Sequence, residues 1–303
     1  KPRAVVWGVG NELGAQLRQE VQTLLALAEN SDRAALPDGM DVPEEIARRE
    51  DRLSAIAQAK AKIEQRAAKR HQGEQQEYEA KLAKRQAQRE TGRKRRGKDP
   101  EPPRPGPKGG DQVNLTDEES RIMPVSGAGF EQSYNAQAGV DTETMMVITA
   151  HVSQACNDKR EVVPTLEQIQ ALASLLGEVH TLITDNGFFS QANVIACNDA
   201  GVQPLLALKR QEHHEPLMQR FAPDVSAPDT TDPITQMAQR LSTQAGRSLY
   251  GLRKQTVEPV FGIIKRVMGW RQMSMRGLAK AQGECSLVTM AWNIKRMHVL
   301  RQA

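Results

Sequence analysis

Two carboxylates in this chain have the right company to do chemistry. The stretch HTLITDNGFFS, residues 180–190, carries an apolar, β-branched run up to Asp185, breaks at Asn186-Gly187, and resumes at Ser190 with helical composition. In an open α/β sheet the carboxyl ends of strands line the ligand crevice, and Asp185 is predicted to sit there. An Asp before Asn-Gly is also an ordinary turn residue, so the strand end alone leaves both readings open. The second acid is Glu258, in LYGLRKQTVEPVFGIIKRVMGWRQ. Lys254 lies four residues before it and Lys265 seven after, which puts all three on one face of a helix. Pro259 disfavours helical geometry at Glu258 and predicts a kink or a helix start there. The bland alternative is a surface ion pair between Glu258 and its lysines, worth roughly 0–1 kcal/mol. A strand-end acid and a helical acid beside basic residues suit a hard cation such as Mg²⁺ or Mn²⁺, which takes oxygen ligands and needs few protein carboxylates. Two such ions about 3.5–4 Å apart can activate a hydroxyl and stabilise the leaving oxygen in phosphodiester displacement.

The charge distribution points the same way. A net charge of +4 conceals a C-terminal block, residues 246–303, with eleven Lys/Arg against two acids, Glu258 and Glu284. Such density suits a polyanion, and lysines and arginines beside the acids would grip phosphates. The three cysteines are scattered singly, without metal spacing, which predicts a reducing cytoplasm and neither a disulfide framework nor a zinc site. No apolar run approaches the roughly 18 residues that span a bilayer, so no membrane partner is expected.

The elements that must position the acids follow from periodicity. Leu13, Leu17, Val21, Leu24 and Ala28 mark one helical face. After a break at Pro37–Pro43, Ile46, Leu53, Ile56, Ile63 and Ala67 form a heptad-like seam in a second helix. Residues 1–91 are therefore predicted to be an antiparallel helical arm, with a subunit-pairing coiled coil as the alternative. Residues 92–111 form a basic Pro/Gly-rich linker that cannot bury apolar surface. Residues 112–303 change texture. Runs at 130–141 and 144–154 read as a hairpin around Asp141-Thr142-Glu143. A helix follows, capped by Asn157 or Asp158, then a strand ending at Asp185, a short helix ending at Gly201, a strand VQPLLALK, a helix near Ile234–Leu241 and a helical C-terminus. This order predicts an α/β fold with parallel pairing after an antiparallel hairpin.

NLTDEESRIM (114–123), FEQSYNAQAGVD (130–141), TDNGFFS (184–190), RKQTVEPVFGIIKRVMGWRQMSMRGL (253–278) and AWNIKRM (291–297) together resemble bacterial insertion-sequence transposases of the DDE class. The resemblance implies a ribonuclease H-like mixed sheet with flanking helices and the helical arm inserted after the first core strand. It implies Mg²⁺- or Mn²⁺-dependent DNA cleavage and strand transfer by a cytoplasmic, nucleoid-associated protein acting as a homo-oligomer on terminal inverted repeats and target DNA. Asp185 matches the second acid of such enzymes and Glu258 the third. The family's Tyr-Arg-Glu-Lys signature is approximated by Tyr250, Arg253, Glu258 and Lys265, with the Arg-to-Glu gap one residue longer than usual, so that Lys254 could substitute for Arg253. With Arg271, these basic residues and Tyr250 are the expected DNA contacts. The first acid, which the family places in a "DGT"-like strand ahead of the arm, has no counterpart in KPRAVVWGVG. The resemblance thus implies a chain beginning just after that strand and inactive alone. Asp141 is the available substitute, although a hairpin tip favours a turn role. A second hypothesis, from another class, is a non-catalytic DNA-binding or coiled-coil interaction protein.

Overall fold

The computed structural model describes residues 4–29, 40–90, 98–125, 129–208 and 230–302. By contacts the chain divides into Lys1–Glu118 and Glu119–Ala303. Most of the linker's basic cluster and most of the polar stretch after Lys209 lie outside the described residues.

The first unit holds a strand pair and two helices. Strand β1 (Ala4–Val6) pairs antiparallel with β2 (Gln112–Asn114), Val5 opposite Val113. Because of this pairing, residues 112–118, assigned to the core on sequence grounds, cluster with the first unit. Helix α1 (Trp7–Glu29) and helix α2 (Val42–Glu90) run antiparallel: Lys60 lies over the Trp7 ring, while Arg49 pairs with Glu20 at 2.9 Å. The heptad-like seam supplies the packing. Ile56, Ala59 and Ile63 of α2 are buried with Leu17 and Val5. Beyond Ala67 no α2 residue is buried, as expected where apolar anchors run out. The described part of the linker, 98–111, has no regular secondary structure, yet it is tied down. Arg70 donates to both Asp111 oxygens at 2.9 Å and to the Gly106 carbonyl at 3.2 Å.

The second unit begins with two hairpins. Strand β3 (Arg121–Val125) pairs with β4 (Gly129–Ser133), and β5 (Asn135–Val140) with β6 (Val147–Ser153). The first hairpin contains Pro124, which cannot donate to a ladder and belongs on an edge. A 3₁₀ turn (Asp158–Arg160), α3 (Val162–Ala171) and the single turn α4 (Ala173–Leu176) lead to β7 (Thr181–Thr184). Helix α5 (Gln191–Asp199) starts at the Ser190 cap, and Gly201 (φ 74°) turns the chain into β8 (Gln203–Leu206), parallel to β7. Helices α6 (Pro233–Ser242), α7 (Gln244–Arg266) and α8 (Leu278–Leu300) complete the unit. The α/β character and the parallel pair agree with the sequence reading. The continuous mixed sheet does not appear: among the described residues the strands form separate two-stranded pairs.

One core gathers Val162, Leu166, Val194, Cys197, Leu206 and Met237 from α3, α5, β8 and α6. Burial pushes the Cys197 thiol up to about 11, so it stays protonated. A second core packs Val147 against Val260, Ile264 and Trp292. Helix α8 also closes the outer edge of β6. Asn293 accepts from the Val147 N–H (2.8 Å) and donates to the Val147 carbonyl (2.7 Å), while Gln282 does the same for Val152 N–H (2.7 Å) and Ala150 C=O (3.2 Å). Among the described residues no helix is long and apolar enough to cross a membrane.

The segment between α7 and α8 is held by Glu284. Partial burial raises its carboxyl pKa, but the N–H groups of Ser274 and Met275 and the Trp270 indole, all at 2.9 Å, outweigh this and hold it below the ordinary 4.5. A depressed acid contributes stability above its unfolded pKa and loses it as pH falls through the folded one. The protein should therefore lose stability on acidification below about pH 4.5 more steeply than its Glu284→Gln variant, as read from urea midpoints against pH.

Candidate active site

The carboxyl end of β7 delivers Asp185 into a turn, and the turn uses it. Asp185 caps the 3₁₀ turn Asn186–Phe188, its Oδ1 accepting the Gly187 N–H at 2.8 Å. Its second oxygen accepts no hydrogen bond among the described residues, and the residue lines a cavity. The two sequence readings of Asp185 are thus compatible: one oxygen holds the turn, the other is available.

A second turn meets this one. Asp158 opens the 3₁₀ turn ahead of α3, and its Oδ1 accepts from Asn135 Nδ2 (2.9 Å) and Gln137 Nε2 (2.7 Å) on β5. A Cβ placed on Gly187 would lie 3.0 Å from Asp185 Oδ1 and 3.3 Å from Asp158 Oδ2, so Gly187 is where the two carboxylates close on each other. On sequence grounds Asp158 is only a candidate helix cap. The capping is done instead by Asn157, which accepts the Lys159 N–H. The signal in the sequence that could have found this role is an acid next to that cap with two amide side chains, Asn135 and Gln137, on an adjacent strand. Behind it, buried Glu161 accepts from Ser153 Oγ at 2.7 Å and lies 2.7 Å from His151 Nε2, anchoring the start of α3 to β6.

Helix α7 supplies the basic side. It runs uninterrupted through Pro259, so the predicted helix start at Glu258 is not formed. Proline removes one backbone bond there, while buried Val260 and Ile264, each worth roughly 1.5–3 kcal/mol, keep the following turns docked. The helix begins where Thr243 accepts the Gly246 N–H; a Cβ at Gly246 would collide with the Arg240 carbonyl at 1.9 Å. Tyr250 is buried with Leu205 and Ala207. Burial raises its hydroxyl pKa, opposed by Arg253 and reinforced by the Asp185 charge, so it remains a neutral phenol beside the site. Arg253 lies over the Tyr250 ring, 5.8 Å from its centroid, and lines the same cavity as Asp185. Its Nε is buried without a partner among the described residues, and its Nη2 is 3.8 Å from Glu258 Oε1. Glu258 is 59% exposed on the outer face, with exposed Lys254 and Lys265 on the same helix and exposed Arg271 just beyond it.

Asp141 is in a different role. Its Oδ2 accepts from both the N–H and the hydroxyl of Thr144, and its backbone closes the β5–β6 turn with Met145 and Met146. The structure therefore connects Asp185 with Arg253 through one cavity, and Arg253 with Glu258 through an ion pair. It does not gather Asp141, Asp185 and Glu258. Among the described residues no three His, Cys, Asp or Glu side chains cluster closely enough to hold a metal.

The cavity itself, about 220 Å³, runs along β5 from Ala136 to Val140 and along β7 from Thr181 to Thr184. Helix α3 (Ile169) and helix α7 (Phe261) form its walls. Among the described residues neither strand is paired on its second edge.

Taken together, these features define an α/β domain with a strand-end carboxylate in a crevice beside a basic helix. The family model of the transposase DDE domain matches residues 103–294, and the chain belongs to that family. No curated protein and no solved structure matches it.

Replacing Gly187 by Ala should wedge the Asp185 and Asp158 turns apart. The expected cost is about 1–3 kcal/mol, measured by denaturant unfolding, together with chemical-shift changes centred on residues 158–160 and 185–188.

Proposed function

We propose that the second unit is the catalytic domain of a DNA transposase that cleaves and transfers DNA strands at insertion-sequence ends. Membership of the transposase DDE family, with Asp185 at a parallel strand end lining one cavity with Arg253, which in turn pairs with Glu258 on α7, is the observation that carries this reading. The residues fit a hard divalent cation in part. Among the described residues one Asp185 oxygen has no donor, and the exposed Glu258 carboxylate has a long contact to Arg253. Asp185 and Glu258 would hold Mg²⁺ or Mn²⁺, which when bound supplies activation of a water or hydroxyl and charge compensation at the leaving oxygen. Double-stranded DNA is the partner. Lys254, Lys265 and Arg271, exposed beside the crevice-forming helix, would take its phosphates. Arg253 keeps the Glu258 carboxylate at hand through their ion pair, and the Tyr250 ring lies against Arg253.

Among the described residues no third acid joins Asp185 and Glu258, and the cavity between β5 and β7 supports a place for one. Two strand edges that are unpaired among the described residues border one slot, whereas the outer edge of β6 is already closed by Asn293 and Gln282. A strand laid in the slot would join hairpin and parallel pair into one mixed sheet, as the ribonuclease H-like reading requires. A carboxylate on that strand would then lie beside Asp185. Asp141, occupied by Thr144, is the alternative third ligand.

The competing reading is a DNA-binding protein without catalysis, favoured by the lack of a three-acid cluster among the described residues. Both readings expect salt-sensitive DNA binding. Replacing Lys265 and Arg271 by Ala should weaken binding about equally across sequences and lower the log–log salt slope by about 0.9 for each phosphate no longer neutralised. Cleavage separates them. The chain alone with Mg²⁺ or Mn²⁺ should cut at background level, addition of an N-terminal acid-bearing strand should bring cleavage up, and Asp185→Ala should abolish it again. Failure of every extended chain to cut would favour the binding-only reading. Strong cutting by the chain alone that Asp141→Ala stops would make Asp141 the third ligand.

A further inference from the structure

We propose that Asn193 is a positioning residue for Asp185: its buried side-chain amide fastens the turn that carries Asp185 to the turn that carries Asp158, and so fixes where the Asp185 carboxylate points. The proposal rests on the reading of Asp185 as a catalytic acid, but its geometry stands apart from any metal.

Asn193 is 4% exposed, in the first turn of α5, where its own N–H is taken by the Ser190 cap at 3.1 Å. Its Nδ2 carries two hydrogens, and both are used. One goes to the Phe188 carbonyl at 2.6 Å, the other to the Lys159 carbonyl at 2.8 Å. Phe188 closes the turn that Asp185 caps; Lys159 lies in the turn that Asp158 opens. Both acceptors belong to irregular backbone. A primary amide is the compact neutral group with two donors on one atom, so no shorter or singly donating side chain satisfies both carbonyls. Giving up either bond loosens the tie between the two turns.

The amide also completes a longer chain of contacts. Asn135 and Gln137 on β5 hold Asp158; the Asp158 turn meets Asn193; Asn193 holds Phe188; and that turn is capped by Asp185 at the end of β7. Strands β5 and β7 share no ladder. The side-chain relay is therefore what sets the hairpin's acid-bearing turn against the parallel pair's. Gly187 permits the close approach, since a Cβ there would press on both carboxylates. Without the amide, β7 and the Ser190 cap persist, but the two turns are free to separate and the Gly187–Asp185 bond loses its support.

The test is amide hydrogen exchange at Gly187 followed by NMR, in the full chain. Asn193→Ala and Asn193→Asp, neither of which can donate to the two carbonyls, should each reduce Gly187 protection by about tenfold or more relative to α5 core amides such as Cys197. The comparison variant is Val194→Ala, one residue on in the same helix, which opens the core without touching either carbonyl. After correction for global stability it should leave Gly187 protection within about twofold. If Asn193→Ala does not fold, Asn193→Ser, keeping one donor, should give a loss between these limits. Unchanged Gly187 exchange in the Asn193 variants, or an equal loss in Val194→Ala, overturns the proposal. A second arm uses Mn²⁺: in the unsubstituted chain it should broaden the Gly187 resonance, and Asn193→Ala should raise the Mn²⁺ midpoint by about tenfold. Absence of broadening in the unsubstituted chain would defeat the metal role of Asp185, while the exchange result would still decide the role of Asn193.

Discussion

The second unit depends on how backbone groups at the edges of very short strand pairs are satisfied. Strands of four to seven residues in two-stranded pairs cannot stand alone in water. Each unpaired N–H or C=O that becomes buried must find a partner. Here the partners are side-chain amides. Asn293 and Gln282 finish the outer edge of β6 from α8, Asn193 finishes two turn carbonyls, and Asn135 and Gln137 reach from β5 to Asp158. These amides hold hairpin, helices and parallel pair in relation where no common ladder does. The inner edges of β5 and β7 have no such partner among the described residues and border the cavity instead.

The site inherits its electrostatics from this arrangement. Asp185 is fixed at the cavity by its own turn, and Arg253 lines the same space from α7 with a buried Nε that has no partner among the described residues. Its guanidinium reaches outward to Glu258, so a single cation stands between a half-buried and an exposed carboxylate. A buried donor without a partner is expensive to keep, and a site prepared for an anionic ligand is one setting in which it is tolerated. Lys254, Lys265 and Arg271 are exposed, which suits contacts made to a polyanion.

The first unit is built by a different rule. Its core is a narrow seam between α1 and α2 with a two-stranded cap, and beyond Ala67 the 49-residue α2 buries no residue. Paired charges at helical spacing, among them Arg48 with Glu44 and Glu45, clothe the exposed faces. Each such pair adds little, so the seam and the Arg70–Asp111 tie carry the unit's definition.

What the sequence determined by itself is whatever physics acts within a few residues. The apolar seam of the arm, the strand ending at Asp185, the Ser190 cap, the Gly201 exit and the parallel β7–β8 pair all follow from periodicity, capping and glycine geometry, and all are present. The resemblance to DDE transposases was likewise legible, because its motifs are short runs in fixed order. Tertiary structure decided the rest. That α7 passes straight through Pro259 depends on burial of Val260 and Ile264 against other elements, which no local propensity contains. Burial of Tyr250 beneath Arg253 and the strand role of Arg121–Val125 despite Pro124 were settled by packing and by pairing with Gly129–Ser133. Asp158 reads as a cap because capping is local; its amide partners lie 21 and 23 residues away, and those of β6 lie 130 and 146 away. Hydrogen bonds between such distant side chains and backbone leave no periodic trace in the sequence, since only the folded chain brings donor to acceptor.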